Sequence, residues 1–282
     1  MRTLLRSITR RASRSTLLMY SVLFFAFVYA PMVIVMVYSF NANPINMMSW
    51  SGFTFDWYRT IFGLGTKLTE QTLYVESTEQ LTNAVGNSLI VALTTTAVST
   101  VIGTLTALAM ARFRFRFKSF YRVLVFMPMI IPDIVLGIAL LIYFVTFGVK
   151  LGLVTIIIGH CTFLASYVFI VVSARLAGMD QTCEEASADL GANPFQTFRR
   201  VTLPLILPGV IGGALLAFII SMDDLVITYF IAGVDSTTLP VFIYGMLRRG
   251  IKPEINAIAT LMILFSLVVA SLGLWFRSRS TR

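Results

Sequence analysis

Six long apolar stretches, at residues 17–40, 88–111, 123–149, 151–174, 205–233 and 257–276, are separated by shorter segments that carry most of the charge. A helix rising 1.5 Å per residue needs ~20 residues to cross a ~30 Å hydrocarbon slab, and every stretch meets that length. Inside hydrocarbon each backbone N–H and C=O must be satisfied within the protein, so runs of this length become helices. Composition agrees, because 57% of residues are hydrophobic and 12% are charged, about half the charged share of soluble domains. Disordered, collagen-like, disulfide-stapled and soluble globular classes are excluded. The chain reads as an all-α integral membrane protein with six transmembrane helices in one transmembrane domain over residues 1–282. Arg2, Arg6, Arg10, Arg11 and Arg14 precede the first stretch as in a signal peptide. That stretch is too long for such a peptide and lacks a clear cleavage site, so it is expected to be a retained span.

The formal net charge of +9 raises a nucleic-acid reading, which would need cations on one soluble face. Instead they cluster between the apolar runs. Sixteen of the 22 Lys and Arg lie before the first stretch, in 112–122, in 175–204 and after the last, all on one side of a six-span chain. Arg59, Lys67, Lys150, Arg248, Arg249 and Lys252 lie on the other. The positive-inside bias therefore puts both termini in the cytoplasm of a bacterial inner membrane, and no nucleic-acid partner is expected. The alternation of basic and aromatic residues from Arg112 to Lys118 suits the bilayer surface. The outer segment 41–87 holds Asp56, Glu70, Glu76 and Glu79 with Trp50, Trp57 and Tyr58, and is expected to form a cap or an interfacial segment. Cys161 and Cys183 fall in different environments and imply no disulfide.

The cytoplasmic segment 175–204 contains TCEEASADLGANPFQTFRRVTLP from Thr182. Thr182 and Glu185 form a capping-box pattern, and a short helix from Cys183 to Leu190 is expected to stop at Gly191 in the left-handed region. Asn193, Pro194 and Gln196 mark the start of a second helix. Phe195, Phe198 and Val201 line a stripe on it, and Pro204 and Pro208 are expected to end it before the next span. A connector needs none of this, so the segment reads as a docking element for a cytoplasmic partner, with an interfacial helix lying on the bilayer as the alternative.

Glu185, Ala186, Ser187, Gly191, Val201, Leu203 and Pro204 resemble the EAA loop of permease subunits in binding-protein-dependent ABC importers. The spacing matches throughout, with Ser187 in place of a second Ala and Val201 in place of Ile. YAPMVIVMVYSFN at 29–41, ALAMARFRFRFK, PMIIPDIVLGIALL, SMDDLVITYF and KPEINAIATL are similar to the permeases of spermidine/putrescine importers, specifically the second of their two paired permeases. The resemblance implies a type I ABC importer permease fold. It also implies a heterodimer with a sister permease, a cytoplasmic ATPase dimer gripping the loop, and a periplasmic polyamine-binding protein. The chain has no G-x-x-x-x-G-K-[ST] motif, so ATP and Mg are expected on the partner ATPase and no cofactor on this chain. No catalytic constellation and no metal-ligand spacing occurs, and the only histidine, His160, lies mid-span.

Three carboxylates lie within the spans: Asp133, Asp223 and Asp224. Each costs ~3 kcal/mol on insertion scales and should face protein or a water-filled path. Straight-helix counting puts Asp133 and His160 at similar mid-bilayer depth, where they could bond each other. Asp223 and Asp224 are ~100° apart on a helix, so one can face the path while the other holds a neighbour. The three acids are candidate substrate-path groups, with ion pairing or capping as the alternative. Tyr229, Phe230 or Tyr244 could add cation–π contacts. The same machine carrying another solute, such as ferric ion, remains open; a secondary transporter would need matching broken helices or inverted repeats, which the sequence does not display.

Overall fold

The apolar stretches are helical, but two of the six are broken inside the run. The computed structural model describes residues 2–43, 49–64, 75–180, 182–249 and 254–279. Among these, the only departure from helix and loop is an isolated bridge between Asn41 and Phe53. Lys67, Glu70 and Lys252 fall outside the described residues. The helices are α1 (Arg2–Tyr38), α2 (Asp56–Ile61), α3 (Val75–Arg112), α4 (Lys118–Ile130), α5 (Asp133–Thr146) and α6 (Leu153–Ala177). They continue as α7 (Thr182–Asp189), α8 (Pro194–Thr197), a π-helical turn (Phe198–Thr202), α9 (Leu203–Asp223), α10 (Val226–Ile231), α11 (Leu239–Arg249) and α12 (Glu254–Arg279). Four helical segments are long and apolar enough to cross a membrane, and the α4–α5 pair makes a fifth if counted as one span. The apolar part of α12, Ile255–Val268, is shorter, and the six-span reading is compatible with this set.

Three expectations from the sequence are corrected. The stretch 123–149, expected as one span interrupted by Pro128, Pro132 and Asp133, is two helices meeting at 103°. Ile131 precedes Pro132 and is forced out of the helical region, to ψ 131°, by the clash of the proline ring with its own backbone. The stretch 205–233 also breaks, at Asp224, where ψ is 118°. Conversely, Pro204 and Pro208 do not end the preceding helix, because Pro194–Asp223 runs on as 30 helical residues. Pro204 has no N–H and its ring crowds the carbonyl four residues back. The π turn widens the coil just there, with the Leu203 N–H on the Phe198 carbonyl, and the helix passes through. In addition, residues 75–87 of the outer segment are the first turns of α3, a polar helical start that hydropathy alone does not reveal.

The chain divides into two units, residues 75–248 with 264–282 and residues 1–74 with 249–263. In the larger unit α3, α6 and α9 pack on one another, and α10 packs on α5 and α6. α6 is predominantly apolar, and Ile156, Leu164, Val168 and Val172 along it are fully buried. They meet Val91 and Ala107 of α3, Ile206 and Ala217 of α9, and Ile227 and Ile231 of α10 in one core. The α3–α6 crossing depends on Gly103, where a Cβ would stand 2.7 Å from Val168 Cβ and from the Ala165 carbonyl. Small residues at such crossings let backbones approach in lipid, where no hydrophobic force drives helices together. Gly103→Leu is therefore expected to cut the yield of folded subunit at least tenfold by gel filtration in detergent, while Gly86→Leu, with nothing within 4 Å of its Cβ, leaves yield unchanged.

In the smaller unit, residues 41–43 and 49–64 fold back at the end of α1. The Trp57 indole is buried and donates to the Asn41 carbonyl at 2.7 Å. Phe40 stacks on Phe53 and meets Phe55 and Tyr58 edge-on or tilted. Short as it is, this part of the outer segment is held by an aromatic cluster.

Candidate functional site

The segment 175–204 is a helix–stop–helix set by its caps. Asp180 accepts the Thr182 N–H at 3.0 Å, and this bond holds its carboxyl below the usual carboxylate range. Thr182 is thus already helical and its N–H is taken by Asp180, so Glu185 does not complete the box expected of it. At the other end of α7, Gly191 N–H reaches the Ala188 carbonyl at 2.9 Å and Ala192 N–H reaches the Ser187 carbonyl at 3.1 Å. These are the two bonds of a Schellman stop, and they require the φ of +81° found at Gly191. The next box forms as the spacing indicates: Asn193 accepts the Gln196 N–H at 2.8 Å and Gln196 accepts the Asn193 N–H at 3.1 Å, with Pro194 at the first helical position. Leu190 and Phe195 are 89% and 68% exposed at this turn. Glu185 and Ala186 are exposed on α7, while Leu203 is half-buried and Pro204 exposed at the foot of α9.

The capping pattern in the sequence singles out Glu185 and passes over its neighbour. Glu184 Oε1 accepts from Arg112 Nη2, at the end of α3, and from the Thr202 hydroxyl, both at 2.7 Å. Ser187 and Thr197 hydroxyls lie 3.1 Å apart between α7 and α8. Arg175 Nε donates to the Leu205 carbonyl at 3.0 Å, joining α6 to α9. Arg112 and Glu184 are 72 residues apart, and no local spacing ties them.

The intramembrane acids are separated by the second break. The Asp224 side chain is 8% exposed, and its Oδ2 accepts the Thr228 N–H and the Thr228 hydroxyl, each at 2.8 Å, and lies 3.1 Å from His160 Nε2. His160 Nε2 is also 2.9 Å from the Thr228 hydroxyl, and Nδ1 is 2.8 Å from the Ser221 hydroxyl. A ring with one proton, on Nε2, satisfies this set: it donates toward Asp224 and Thr228 and accepts from Ser221. The carboxylate therefore caps α10, and the His160 ring ties α6 to both sides of the break. The partner of His160 is Asp224, not the Asp133 that equal depth suggested, because the 103° bend invalidates counting depth along one straight helix. Asp223, the last residue of α9, is exposed, and so is Asp133 at the start of α5. Neither makes a hydrogen bond or ion pair among the described residues. Tyr229 of α10 is also exposed, with its ring 5.8 Å from that of Tyr244.

The described residues thus hold a helical bundle with buried polar ties at a broken span, and a capped turn rooted in a continuous 30-residue helix long and apolar enough to cross a membrane. Residues 99–282 match the binding-protein-dependent transport system inner membrane component family, and the chain belongs to that family. The putrescine transport system permease protein PotI of Escherichia coli K12 is 36% identical over 246 residues, covering 85% of this chain and 82% of PotI. The spermidine/putrescine transport system permease protein PotC of the same strain is 37% identical over 245 residues, covering 87% of each chain. PotC of Haemophilus influenzae is 36% identical over 249 residues, covering 88% of this chain and 91% of PotC. Among solved structures, a bacterial ABC transporter for import of the acidic polysaccharide alginate superposes with a TM-score of 0.70 at 17% identity, covering 99% of this chain and 98% of that one. The inward-facing MetNI methionine transporter gives 0.59 at 18% identity, covering 77% and 100%. Those two show the fold alone, that of ABC importer permeases. The chain is an inner-membrane permease subunit and not an enzyme.

Proposed function

We propose that this chain is the permease subunit of an ATP-driven importer of putrescine, spermidine or both, and forms half of its translocation path. The observation that carries this reading is its 36–37% identity to PotI and PotC over more than four fifths of every chain compared. In this reading both termini are cytoplasmic, a sister permease completes the path, and a periplasmic binding protein delivers the amine. A cytoplasmic ATPase dimer, holding ATP and Mg, grips α7 and α8 through the exposed Leu190 and Phe195. Pro194–Asp223 then carries the motion without a joint from the gripped turn to the acids.

A diamine or triamine cannot shed water in a ~30 Å hydrocarbon slab without compensating charge. Asp223 and Asp133 are free to supply it, whereas Asp224 is committed to holding the break. Tyr229 and Tyr244 offer ring faces to an ammonium group. Contacts must stay weak enough for release, so one or two carboxylates suffice. The broken helices resemble a feature of secondary transporters, and ATP dependence separates the two machines. Reconstituted in liposomes with its partners, the complex is expected to accumulate labelled putrescine or spermidine only with ATP and binding protein. ATP-independent uptake, or uptake of ferric ion in place of amines, would overturn the reading. Asp223→Asn should assemble normally yet lower amine uptake about tenfold, with Asp133→Asn giving a smaller loss; wild-type uptake in both removes the acids from the path.

A further inference from the structure

Two helices of the core could move with a displaced α7, but only α9 is covalently near it. α3 ends 72 residues earlier, yet Arg112, its last residue, reaches across to Glu184 at 2.7 Å. The same carboxylate oxygen takes the Thr202 hydroxyl at the π turn below α9. One oxygen thus joins α7, α3 and the foot of α9. The ion pair is shielded, with 24% of the Arg112 side chain and 18% of the Glu184 side chain exposed. It is less screened by salt than a surface pair, and short charge-assisted bonds are the stronger class. The guanidinium also sits at a helix C-terminus, where the macrodipole favours a cation. Ser187, one turn along α7, adds its contact to Thr197. No residue of α7 is buried, so polar ties rather than apolar packing fix its position.

We propose that Glu184 is a positioning residue that yokes α7 to α3 and α9, so that moving the loop turns both helices of the core together. Without it, α7 swings about the Gly191 stop and α3 is left behind. The inference rests on the coupling role given to this loop above. In the complete complex in liposomes, the readouts are ATP hydrolysed per amine imported and basal ATP hydrolysis without solute. Glu184→Ala and Arg112→Ala are each expected to raise ATP per amine at least fivefold, while the subunits co-purify in wild-type ratio. The exchanged pair, Arg112→Glu with Glu184→Arg, should return the ratio to within twofold, since the ion pair is kept and an arginine at 184 donates to the Thr202 hydroxyl oxygen where the glutamate accepted from that hydroxyl. Thr202→Val, which keeps the volume and loses the hydroxyl, should fall between. An unchanged ratio in Glu184→Ala overturns the yoke, as does an exchanged pair no better than the single variants. Loss of co-purification in both single variants overturns it too, because the contact is then a folding element. A wild-type complex that imports no polyamine defeats the functional reading instead. Basal hydrolysis needs no solute and still reports the yoke, running faster in Glu184→Ala than in wild type.

Discussion

Asp224→Leu is expected to abolish stable assembly of this subunit, with at least a tenfold loss of detergent-stable complex. The carboxylate is the acceptor for the Thr228 N–H, the Thr228 hydroxyl and the His160 ring at 2.8, 2.8 and 3.1 Å. Leucine orphans the Thr228 N–H and hydroxyl inside a protein core, at about 1–3 kcal/mol each, and leaves the His160 ring only the Thr228 oxygen at 2.9 Å. Against the roughly 5–15 kcal/mol that separates most folded domains from unfolding, that loss is decisive. Asp224→Asn keeps an acceptor oxygen and should retain most of the complex. His160→Leu leaves Asp224 its two Thr228 donors and should fall between. Thermal unfolding of the purified complex ranks the three, and an Asp224→Leu complex as stable as wild type would show that the break does not depend on this cluster. The contrast with Asp223→Asn matters, because adjacent acids are given opposite duties: loss of one costs assembly and loss of the other costs uptake.

Gly191→Val should leave the subunit assembled and uncouple it, lowering amine uptake per ATP tenfold or more. At φ +81° a β-carbon meets nothing within 4 Å, so crowding by neighbours plays no part. The cost is in the backbone, about 1–2 kcal/mol for an L-residue in the left-handed region and more for a β-branched one. The chain relieves it by leaving that region, which breaks the Schellman bonds from Gly191 and Ala192 and re-aims α7 relative to α8. Asparagine tolerates this conformation, so Gly191→Asn should transport close to the wild-type rate. If valine and asparagine behave alike, the stop does not set the geometry of docking.

Residues 182–204 show how far local chemistry reaches. The stop at Gly191 and the Asn193–Gln196 box are legible in the sequence because each is closed by residues within a few positions. The membrane class and the helical stretches are legible for the same reason, since hydrocarbon forces every long apolar run to satisfy its own backbone. Proline is less legible. Pro132 breaks a helix, while Pro204 is absorbed by a π turn; the outcome at each depends on whether packing makes room for a wider coil. The polar start of α3 carries no apolar signal, so the sequence does not distinguish it from loop.

Sequence alone determined that this is a helical membrane subunit with a capped turn, because periodicity, caps and apolar length act over one or two helical turns. It also narrowed the charged groups within the spans to three acids. Only the tertiary structure decided their surroundings, holding Asp224 in a hydrogen-bonded cluster and leaving Asp223 and Asp133 exposed. His160 finds Asp224 across 64 residues, and Arg112 finds Glu184 across 72. Such pairs form where helices cross, and the crossing is fixed by the α4–α5 bend, the break at Asp224 and the close approach at Gly103. None of these distances is encoded in the spacing of the partners along the chain.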